Sequence, residues 1–435
     1  MSLLMSPVSV KLSAQVSVPI QGRLSAWVSK RTPWHVLLIL AMGSLYGLAD
    51  PQTLATGSSS PPVSVRPADP LNATAFDRFY NLDYDRAVPD FQRVLDRHPD
   101  DPFAVNHLLS AIMFRELYRM GAMNTGEYAN DSFIGLAHRP ADPKIKAQIK
   151  SLADRAEKLE EDRLKANPRD VDALYARGIT RAQFATYTAL IERAWFSALR
   201  NAVGARHDHE RVLELDPHYI DAKLVVGAHN YVMGSLPWGV KVAVSLVGLS
   251  GSKDKGIEYL YEVGRSNGEN NVDARIALLL FLRREHRYGD ALTLLRGLIA
   301  EYPQNVLFAL EEGTLLRALN QNEEAAAVYR RIWQAGRDGK YPGLHYELAA
   351  LHWGDLLRSE KDYVGAGAAY ELVAQAPAPD LETLQKANLG AGEMYDLQQK
   401  RDLATKKYQA VIATNASTPP ADAARRHLKE PYRAE

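Results

Sequence analysis

The sequence predicts an all-α fold, an α-solenoid of antiparallel helix hairpins, from three observations. A small residue, then a leucine or aromatic residue, then an aliphatic residue recur after 34 residues, as Ala291-Leu295-Leu298 and Ala325-Tyr329-Ile332. Such a period is typical of stacked helix pairs. Helical spacing of apolar residues also continues from about Leu71 nearly to the end, without alternating strand-like runs. Prolines, which cannot continue a helix, stand where hairpins would end, at Pro99, Pro168, Pro217 and Pro303.

Composition favours one ordered body. The 435 residues could form several domains or one long repeat array, and 46% hydrophobic with 24% charged residues is close to globular averages. Lys+Arg and Asp+Glu both number 52, so no overall field attracts nucleic acid, and we expect no nucleic-acid partner. The absence of Cys excludes a disulfide framework, thiolate zinc sites, a cysteine nucleophile and a lipid-modified cysteine anchor.

Residues 1–49 are predicted to be a signal peptide or an uncleaved signal anchor. Trp34 to Leu48 is a mostly apolar run of 15 residues, shorter than the ~20 needed to span a bilayer. Small residues in Gly47-Leu48-Ala49 suit cleavage by a signal peptidase. The segment before the apolar run is long for a signal peptide, so a disordered cytosolic leader is the alternative. Residues 50–70 contain five prolines and read as a linker. We therefore expect an exported protein, periplasmic or membrane-associated, rather than a cytosolic one.

Residues 71–415 are predicted to hold about eight hairpins, and residues 416–435 a C-terminal tail. The clearest repeats are the last four, in which a small residue is assigned to the closest helix crossing, namely Ala291, Ala325, Ala366 and Ala404. The second to fourth hairpins are irregular, and an apolar segment, residues 235–252, is inserted within the fourth.

These residues resemble the tetratricopeptide repeat superfamily over roughly residues 71–415, most clearly in the fifth to eighth hairpins. The resemblance implies a non-enzymatic scaffold that binds a protein or peptide partner on its concave face. The stretch from Gly227 to Leu260 also looks like degenerate repeat proteins associated with TRAP-type transporters or organelle outer membranes. The transporter-associated lipoproteins carry an N-terminal lipidated Cys, which this chain lacks. The alternative function is an exported solute-binding or transporter-accessory protein, with a pocket in the solenoid lined by Trp238 and the aromatic groups near Tyr175, Tyr187 and Tyr231.

No motif indicates catalysis or a cofactor. His207-Asp208-His209-Glu210 is rich in metal-ligating groups, but residues two apart on a helix face away from each other, which predicts a solvated helix face. Gly248 to Lys253 lacks the Gly-Lys-Ser/Thr ending of a phosphate loop and reads as a helix-capping turn. Neither Gly-x-Ser-x-Gly nor His-Glu-x-x-His occurs. We expect no enzymatic activity, no metal site and no cofactor.

The inserted segment 235–252 is too apolar for an idle loop, since its one charge is Lys241. Its length, proline and glycines do not suit a membrane span. Two interpretations stay open: it folds back into the solenoid's own groove, or it forms a membrane or partner contact. The residues that would make that contact are Leu236, Trp238, Val242 and Leu246.

The resemblance also implies which side chains face the groove. With Leu279, Gly313, Gly354 and Gly392 as the eighth positions of the last four units, the twelfth positions are Asp396 and three arginines, Arg283, Arg317 and Arg358. We call these three the arginine ladder. In this superfamily the second, fifth, ninth and twelfth positions tend to face the groove. Because a guanidinium forks well onto a carboxylate, the ladder predicts an acidic peptide or a chain carboxyl terminus as partner. The alternative is that the arginines form intramolecular pairs with nearby acids.

Overall fold

The computed structural model describes residues 65–123, 139–236, 238, 241, 245 and 249–434. Within these residues every regular element is helical, which confirms the predicted all-α solenoid. No helix in this part of the chain is both long enough and apolar enough to cross a membrane. The predicted leader, residues 1–49, and residues 50–64 of the predicted linker lie outside the described residues.

The helices whose bounds the structure describes form eight consecutive pairs and one C-terminal helix. The first four pairs are α1 (Leu71–Tyr80) with α2 (Tyr84–Arg97), α3 (Pro102–Met120) with α4 (Pro143–Ala166), α5 (Val171–Leu190) with α6 (Trp195–Leu215), and α7 (Lys223–Ser235) with α8 (Lys253–Arg265). A short 3-10 helix, Ile220–Ala222, precedes α7. The last four are α9 (Asn271–Arg284) with α10 (Tyr288–Glu301), α11 (Val306–Ala318) with α12 (Asn322–Arg337), α13 (Leu348–Ser359) with α14 (Tyr363–Val373), and α15 (Leu381–Leu397) with α16 (Arg401–Thr414). Helix α17 (Pro419–Lys429) lies in the segment predicted as a tail.

Short polar side chains begin many of these helices. Asp101, Asp142 and Asp170 each accept a hydrogen bond from a backbone N–H of the first turn of α3, α4 and α5. The first two of these helices then start with proline, whose missing N–H would be unpaired at that position anyway. Asn305 and Asp380 cap α11 and α15 in the same way. Local sequence therefore defines where these helices begin.

In the last four hairpins one apolar contact recurs at the seam between paired helices. The alanines assigned to the closest crossings, Ala291, Ala325, Ala366 and Ala404, are all fully buried. In three pairs a tyrosine ring of the second helix lies against a glycine of the first, as Tyr329 on Gly313, Tyr370 on Gly354 and Tyr408 on Gly392. A Cβ atom on any of these glycines would lie less than 3.0 Å from the ring. The glycine is therefore required for the close approach of the two helices.

The turn within these hairpins is also repeated. The second residue after the first helix is His286, Asn320, Lys361 or Gln399, with φ between 58° and 64°. Leu82 occupies the same place in the first hairpin, with φ 64°. Each is a non-glycine residue in the left-handed region, where Cβ crowds the following carbonyl oxygen. The five hairpins thus share one three-residue connection.

The second and third hairpins are longer and are joined by buried polar groups. Helix α4 has 24 residues, against 11 to 17 in the last four pairs. The Thr180 hydroxyl in α5 lies 2.6 Å from the Glu160 carboxyl and 2.9 Å from the Asn106 side-chain oxygen, and all three residues are buried. Burial raises the pKa of Glu160 to about 7, against a smaller lowering by Thr180 and Asn106.

One sequence interpretation in this region is wrong. The stretch around His207 is not a uniformly solvated helix face, because Asp208 and His209 are buried. Asp208 accepts hydrogen bonds from Arg177 and Arg181, and the His209 ring lies against Gly178, the counterpart of the glycine–tyrosine contacts. The apolar environment of the pair seam explains the burial, and it lowers the pKa of His209 to about 4.

The first hairpin contacts the fifth and sixth, more than 190 residues later in the chain. The Tyr80 hydroxyl donates to Asp273 over 3.1 Å, and the Asn305 side chain donates to the Tyr80 carbonyl over 2.7 Å. The Gln304 backbone N–H donates to the Asn81 side chain over 3.0 Å. These contacts close the array, so that the first helices of early and late pairs approach one another.

Candidate functional site

The predicted groove positions are largely engaged by the chain itself. We use the term groove surface for the side chains at the second, fifth, ninth and twelfth positions of the first helix of each pair. On the arginine ladder, the Arg283 guanidinium donates to both carboxylate oxygens of Glu311, at 2.7 and 2.9 Å. Arg358 forms an ion pair with Glu393 at 2.6 Å. Glu311 and Glu393 are both buried.

Arg317, the middle residue of the ladder, forms no ion pair within the described residues and is half-buried. Its charge acts on two neighbours, Tyr329 and His352. Burial raises the pKa of the Tyr329 hydroxyl, and Arg317 partly offsets that increase. Burial lowers the pKa of His352, where Asp355 opposes the effect and Arg317 adds to it. Arg317 is thus the ladder residue whose guanidinium has no carboxylate partner in this part of the chain.

The C-terminal segment lies at the end of the ladder. The Tyr432 hydroxyl accepts a hydrogen bond from Arg358 at 2.9 Å, and the Arg358 guanidinium lies 5.3 Å from the Tyr432 ring centroid. The Tyr432 N–H donates to Asp396, at 2.8 Å, and Arg401 donates to the carbonyls of His427 and Leu428. Tyr432 therefore lies on the groove surface, in a part of the chain that is not helical.

The opposite end of the described chain occupies a second place on this surface. Arg66 precedes α1, and its guanidinium donates to Glu269 through Nε, at 2.9 Å, and through Nη2, at 3.1 Å. Nη1 donates to Asp172, at 2.5 Å, and to the Tyr219 hydroxyl. The backbone N–H of Arg66 also donates to Glu269, at 2.8 Å.

Three aromatic rings complete this environment. The Arg66 guanidinium carbon lies 4.3 Å from the ring centroid of Phe103, 5.2 Å from that of Tyr175 and 5.3 Å from that of Tyr219. We call the site formed by Phe103, Asp172, Tyr175, Tyr219 and Glu269 the Arg66 pocket. Its walls come from the second and third hairpins and from the connections that follow the third and fourth hairpins.

Burial sets the electrostatics of the Arg66 pocket. Burial raises the pKa of Glu269, and the contacts with Arg66 oppose that shift. For Arg66 itself, burial alone would lower the pKa, but the Glu269 interactions outweigh it and the net shift is upward. Behind Glu269, the Asp221 carboxylate accepts hydrogen bonds from the backbone N–H groups of Glu269 and Asn270. The turn that carries Glu269 is therefore fixed independently of Arg66.

The proposed solute-binding residues do not line a common pocket. Tyr175 contacts Arg66, Tyr187 packs on Phe184, and Tyr231 stacks on Phe281 with ring centroids 3.8 Å apart. All three tyrosines are buried. Trp238 is 81% exposed. The alternative pocket predicted from these four residues is therefore wrong.

Of the four residues predicted for an apolar contact in the inserted segment, Leu236 is buried and Trp238 is exposed. Val242 and Leu246 lie outside the described residues. Leu236, near the start of the segment, thus packs inward, and Trp238, its one tryptophan, faces solvent.

One cavity of about 370 Å³ lies among α10, α11 and α12. Arg296, Arg331 and Lys340 contribute to its lining together with Glu312, whose carboxylate accepts hydrogen bonds from both arginines. Among the described residues, no three His, Asp or Glu side chains converge to form a candidate metal site.

Sequence reasoning missed the Arg66 pocket because Arg66 lies in the segment predicted as a linker. The sequence did contain a signal among the residues that surround Arg66. In the register of the arginine ladder, the second positions of the third, fourth and fifth hairpins are Asp172, Asp221 and Asp273. This acidic column predicts a site for a cation, but the register alone does not show that the cation belongs to the same chain.

The chain matches no protein-family model and no curated protein. Among solved structures it is similar to the human IFIT1 dimer with PPP-AAAA, at 14% identity, covering 92% of this chain and 84% of that one, with a TM-score of 0.36. It is also similar to yeast Tom70, at 14% identity over 84% of this chain and 91% of that one, with a TM-score of 0.31. A third similar structure is pilF of Pseudomonas aeruginosa, at 15% identity over 69% of this chain and 99% of that one, with a TM-score of 0.29. These similarities say nothing about what this chain binds. The paired helices, their repeated turns and their glycine–tyrosine seams show a solenoid of the tetratricopeptide type.

Proposed function

We propose that this protein is a non-enzymatic scaffold that holds a non-helical segment of a protein partner along its groove surface. The observation that carries the proposal is that both ends of the described chain already lie there without helical structure, one through Arg66 and the other through Tyr432. A surface that pairs with non-helical segments of its own chain offers the same side chains to a segment of another protein.

An acidic residue of the partner would bind at Arg317. Arg283 and Arg358 already have carboxylate partners, so their charges are largely satisfied. Arg317 has none among the described residues, and its planar fork of donors suits a carboxylate. The sequence predicted that all three arginines bind acidic groups of a partner, whereas we now propose this role for Arg317 alone.

Selection from a random heptapeptide library tests this proposal. The wild-type protein should enrich sequences with Asp or Glu, and Arg317→Glu should shift the selection towards Lys or Arg, because reversing the charge reverses the electrostatic preference. Arg425→Glu, a change on the exposed side of α17, serves as the matched control and should select like wild type. An unchanged selection by a folded Arg317→Glu variant would contradict the proposal.

The C-terminal segment should act as an internal competitor. Tyr432→Ala removes the ring and hydroxyl that contact Arg358, so a peptide selected by the wild type should bind this variant several-fold more tightly in fluorescence anisotropy. Equal or weaker binding would show that residues 431–434 and the peptide occupy different places.

A solute-binding function has one observation in its favour. The cavity near Arg296, Arg331 and Lys340 carries three basic side chains against one acid, Glu312, and so suits a small anion. Thermal stabilisation by a panel of carboxylate and phosphate metabolites would support it if Arg331→Ala abolished the effect. If no metabolite raises the melting temperature, the solute-binding function is contradicted and the peptide-binding scaffold is retained.

We also propose that the protein is exported, on the apolar run Trp34–Leu48 and the small residues that follow it. Protein isolated from its native host should begin at Asp50, and an intact Met1 on most molecules would contradict cleavage. The exposed ring of Trp238 is consistent with the second interpretation of residues 235–252, a contact with a membrane or a partner.

A further inference from the structure

The Arg66 pocket has the chemistry of a guanidinium-binding site. Glu269 presents both carboxylate oxygens to Nε and Nη2 of one planar group, Asp172 accepts from Nη1, and the Phe103 ring lies over the guanidinium carbon. A lysine ammonium could satisfy one of these carboxylates, but it cannot form the two parallel hydrogen bonds and the ring contact together. The pocket therefore discriminates between the two basic side chains.

The pocket also contacts the backbone of the segment that fills it. The N–H of Arg66 donates to the same Glu269 carboxylate, so the site engages a peptide unit as well as a side chain. Beyond Arg66, the Pro67 carbonyl accepts from Asn72, and Asp69 pairs with His98 at 3.1 Å and with Arg97 at 3.3 Å. Those later contacts are made to the first hairpin, whereas Arg66 alone reaches the pocket. The occupant is thus a short segment with a single anchor in the pocket.

The walls of the pocket do not depend on Arg66 for their position. Tyr175 is fully buried and accepts a hydrogen bond from Asn270 at 2.5 Å, and Asp221 holds the turn of Glu269 from behind. Tyr175 and Tyr219 pack on each other with ring centroids 4.7 Å apart. With Arg66 withdrawn, Glu269 and Asp172 would remain as two carboxylates beside three rings. Their negative charge would be uncompensated, so the site would bind another cation.

We propose that the Arg66 pocket is an arginine-recognition site filled by the protein's own chain, and that a non-helical, arginine-bearing segment of a partner protein binds there by displacing residues 65–70. Arg66 is then an internal ligand whose occupancy reduces the apparent affinity for the partner. This inference does not rest on the acidic-peptide function proposed for Arg317, because it concerns another pocket and the opposite charge.

The first experiment uses the blocked hexapeptide Val-Arg-Pro-Ala-Asp-Pro, the sequence of residues 65–70, labelled for fluorescence anisotropy. Full-length Arg66→Ala should bind it at least 10-fold more tightly than wild type does, since the internal ligand has lost its guanidinium. The same peptide with Lys in place of Arg should bind at least 10-fold more weakly, and so should the original peptide to Arg66→Ala/Glu269→Gln. Arg425→Ala, the matched removal of an exposed arginine, should behave like wild type.

The outcomes separate recognition from a purely structural contact. If Arg66 only fastens the first hairpin, Arg66→Ala will lower the melting temperature without gaining affinity for the peptide, which overturns the proposal. Equal affinity of wild type and Arg66→Ala would overturn the internal-ligand part, and equal affinity for the Lys peptide would overturn guanidinium recognition.

A second measurement covers the case in which Arg66→Ala does not fold. Arg66→Lys keeps a cation in the pocket, and millimolar ethylguanidinium should raise its melting temperature while ethylammonium should not. No difference between the two ions would contradict a pocket built for a guanidinium. Failure of the acidic selection at Arg317 would leave these results untouched, so the two proposals fail separately.

Discussion

The contacts between paired helices differ between the fifth to eighth hairpins and the second to fourth hairpins. In the later group, fully buried alanines and a tyrosine ring on glycine recur at equivalent positions, and one turn geometry is repeated. In the earlier group the helices of the second and third hairpins are longer, and the seams contain buried polar groups such as Glu160 and Asp208. Apolar seams repeat because any unit can use them, whereas buried polar pairs work only where both partners are present. The irregular half is also where the Arg66 pocket lies.

The largest expected effect concerns the buried carboxyl of Glu160 in the irregular half. Its folded pKa of about 7 is above its ordinary value of 4.5, so the folded state favours the protonated form. Ionisation at higher pH then destabilises the fold by roughly 3 kcal/mol, a penalty that is absent below pH 4.5 and complete above pH 7. Glu160→Gln should therefore raise the free energy of unfolding at pH 8 and leave it unchanged at pH 4.5.

Urea denaturation of both proteins at the two pH values measures this difference. Equal gains at both pH values would show that Glu160 is ionised in the fold and that the seam is not a neutral polar network.

The next effect concerns the apolar seam of the sixth hairpin. Ala325 is fully buried, so Ala325→Leu should overpack the crossing and lower the free energy of unfolding by about 1–3 kcal/mol. Because no titrating group of the seam changes, the loss should be the same at pH 4.5 and pH 8. A variant that melts like wild type would show that the helices can separate without penalty.

A smaller loss is expected where the ring of Tyr329 lies on Gly313. Gly313→Ala places a methyl group against that ring, so we expect a loss of roughly 1–2 kcal/mol. Gly297 in α10 is the matched control, since nothing lies within 4 Å of its added Cβ. Gly297→Ala should instead gain about 0.5–1 kcal/mol from reduced backbone entropy in the unfolded chain. Thermal melts of the pair should move in opposite directions, and a shared direction would contradict the close approach.

The smallest effect concerns the repeated turn. Lys361 has φ 64°, a conformation that glycine adopts without Cβ strain, so Lys361→Gly should stabilise the seventh hairpin by up to about 1 kcal/mol. The neighbouring Glu360 has φ −86°, and Glu360→Gly should give no gain. A gain at both positions would mean that the turn is not limited by the left-handed residue.

The sequence predicts the later half better because its signals are local and repeated. The 34-residue spacing predicts the burial of Ala291 and Ala325 directly, and the same register places Arg283, Arg317 and Arg358 at equivalent positions. The register does not identify the acids that meet them, because Glu311 and Glu393 come from the next first helix. Arg66 and Glu269 are separated by 203 residues, and no periodicity connects a linker residue with a turn so far along the chain.

Closure of the array is the central claim, because it brings the first hairpin and Arg66 against the fifth hairpin and the turn that precedes it. The absence of Cys allows a direct test with Asn81→Cys and Gln304→Cys, at residues joined by a backbone-to-side-chain hydrogen bond of 3.0 Å. A short bismaleimide should link this pair within one molecule in high yield, as judged by peptide mass spectrometry. Asn81→Cys with Lys406→Cys, on the last pair's second helix, is the control and should not link. Linking of the first pair confirms a closed array, and no linking while both cysteines react singly would contradict it.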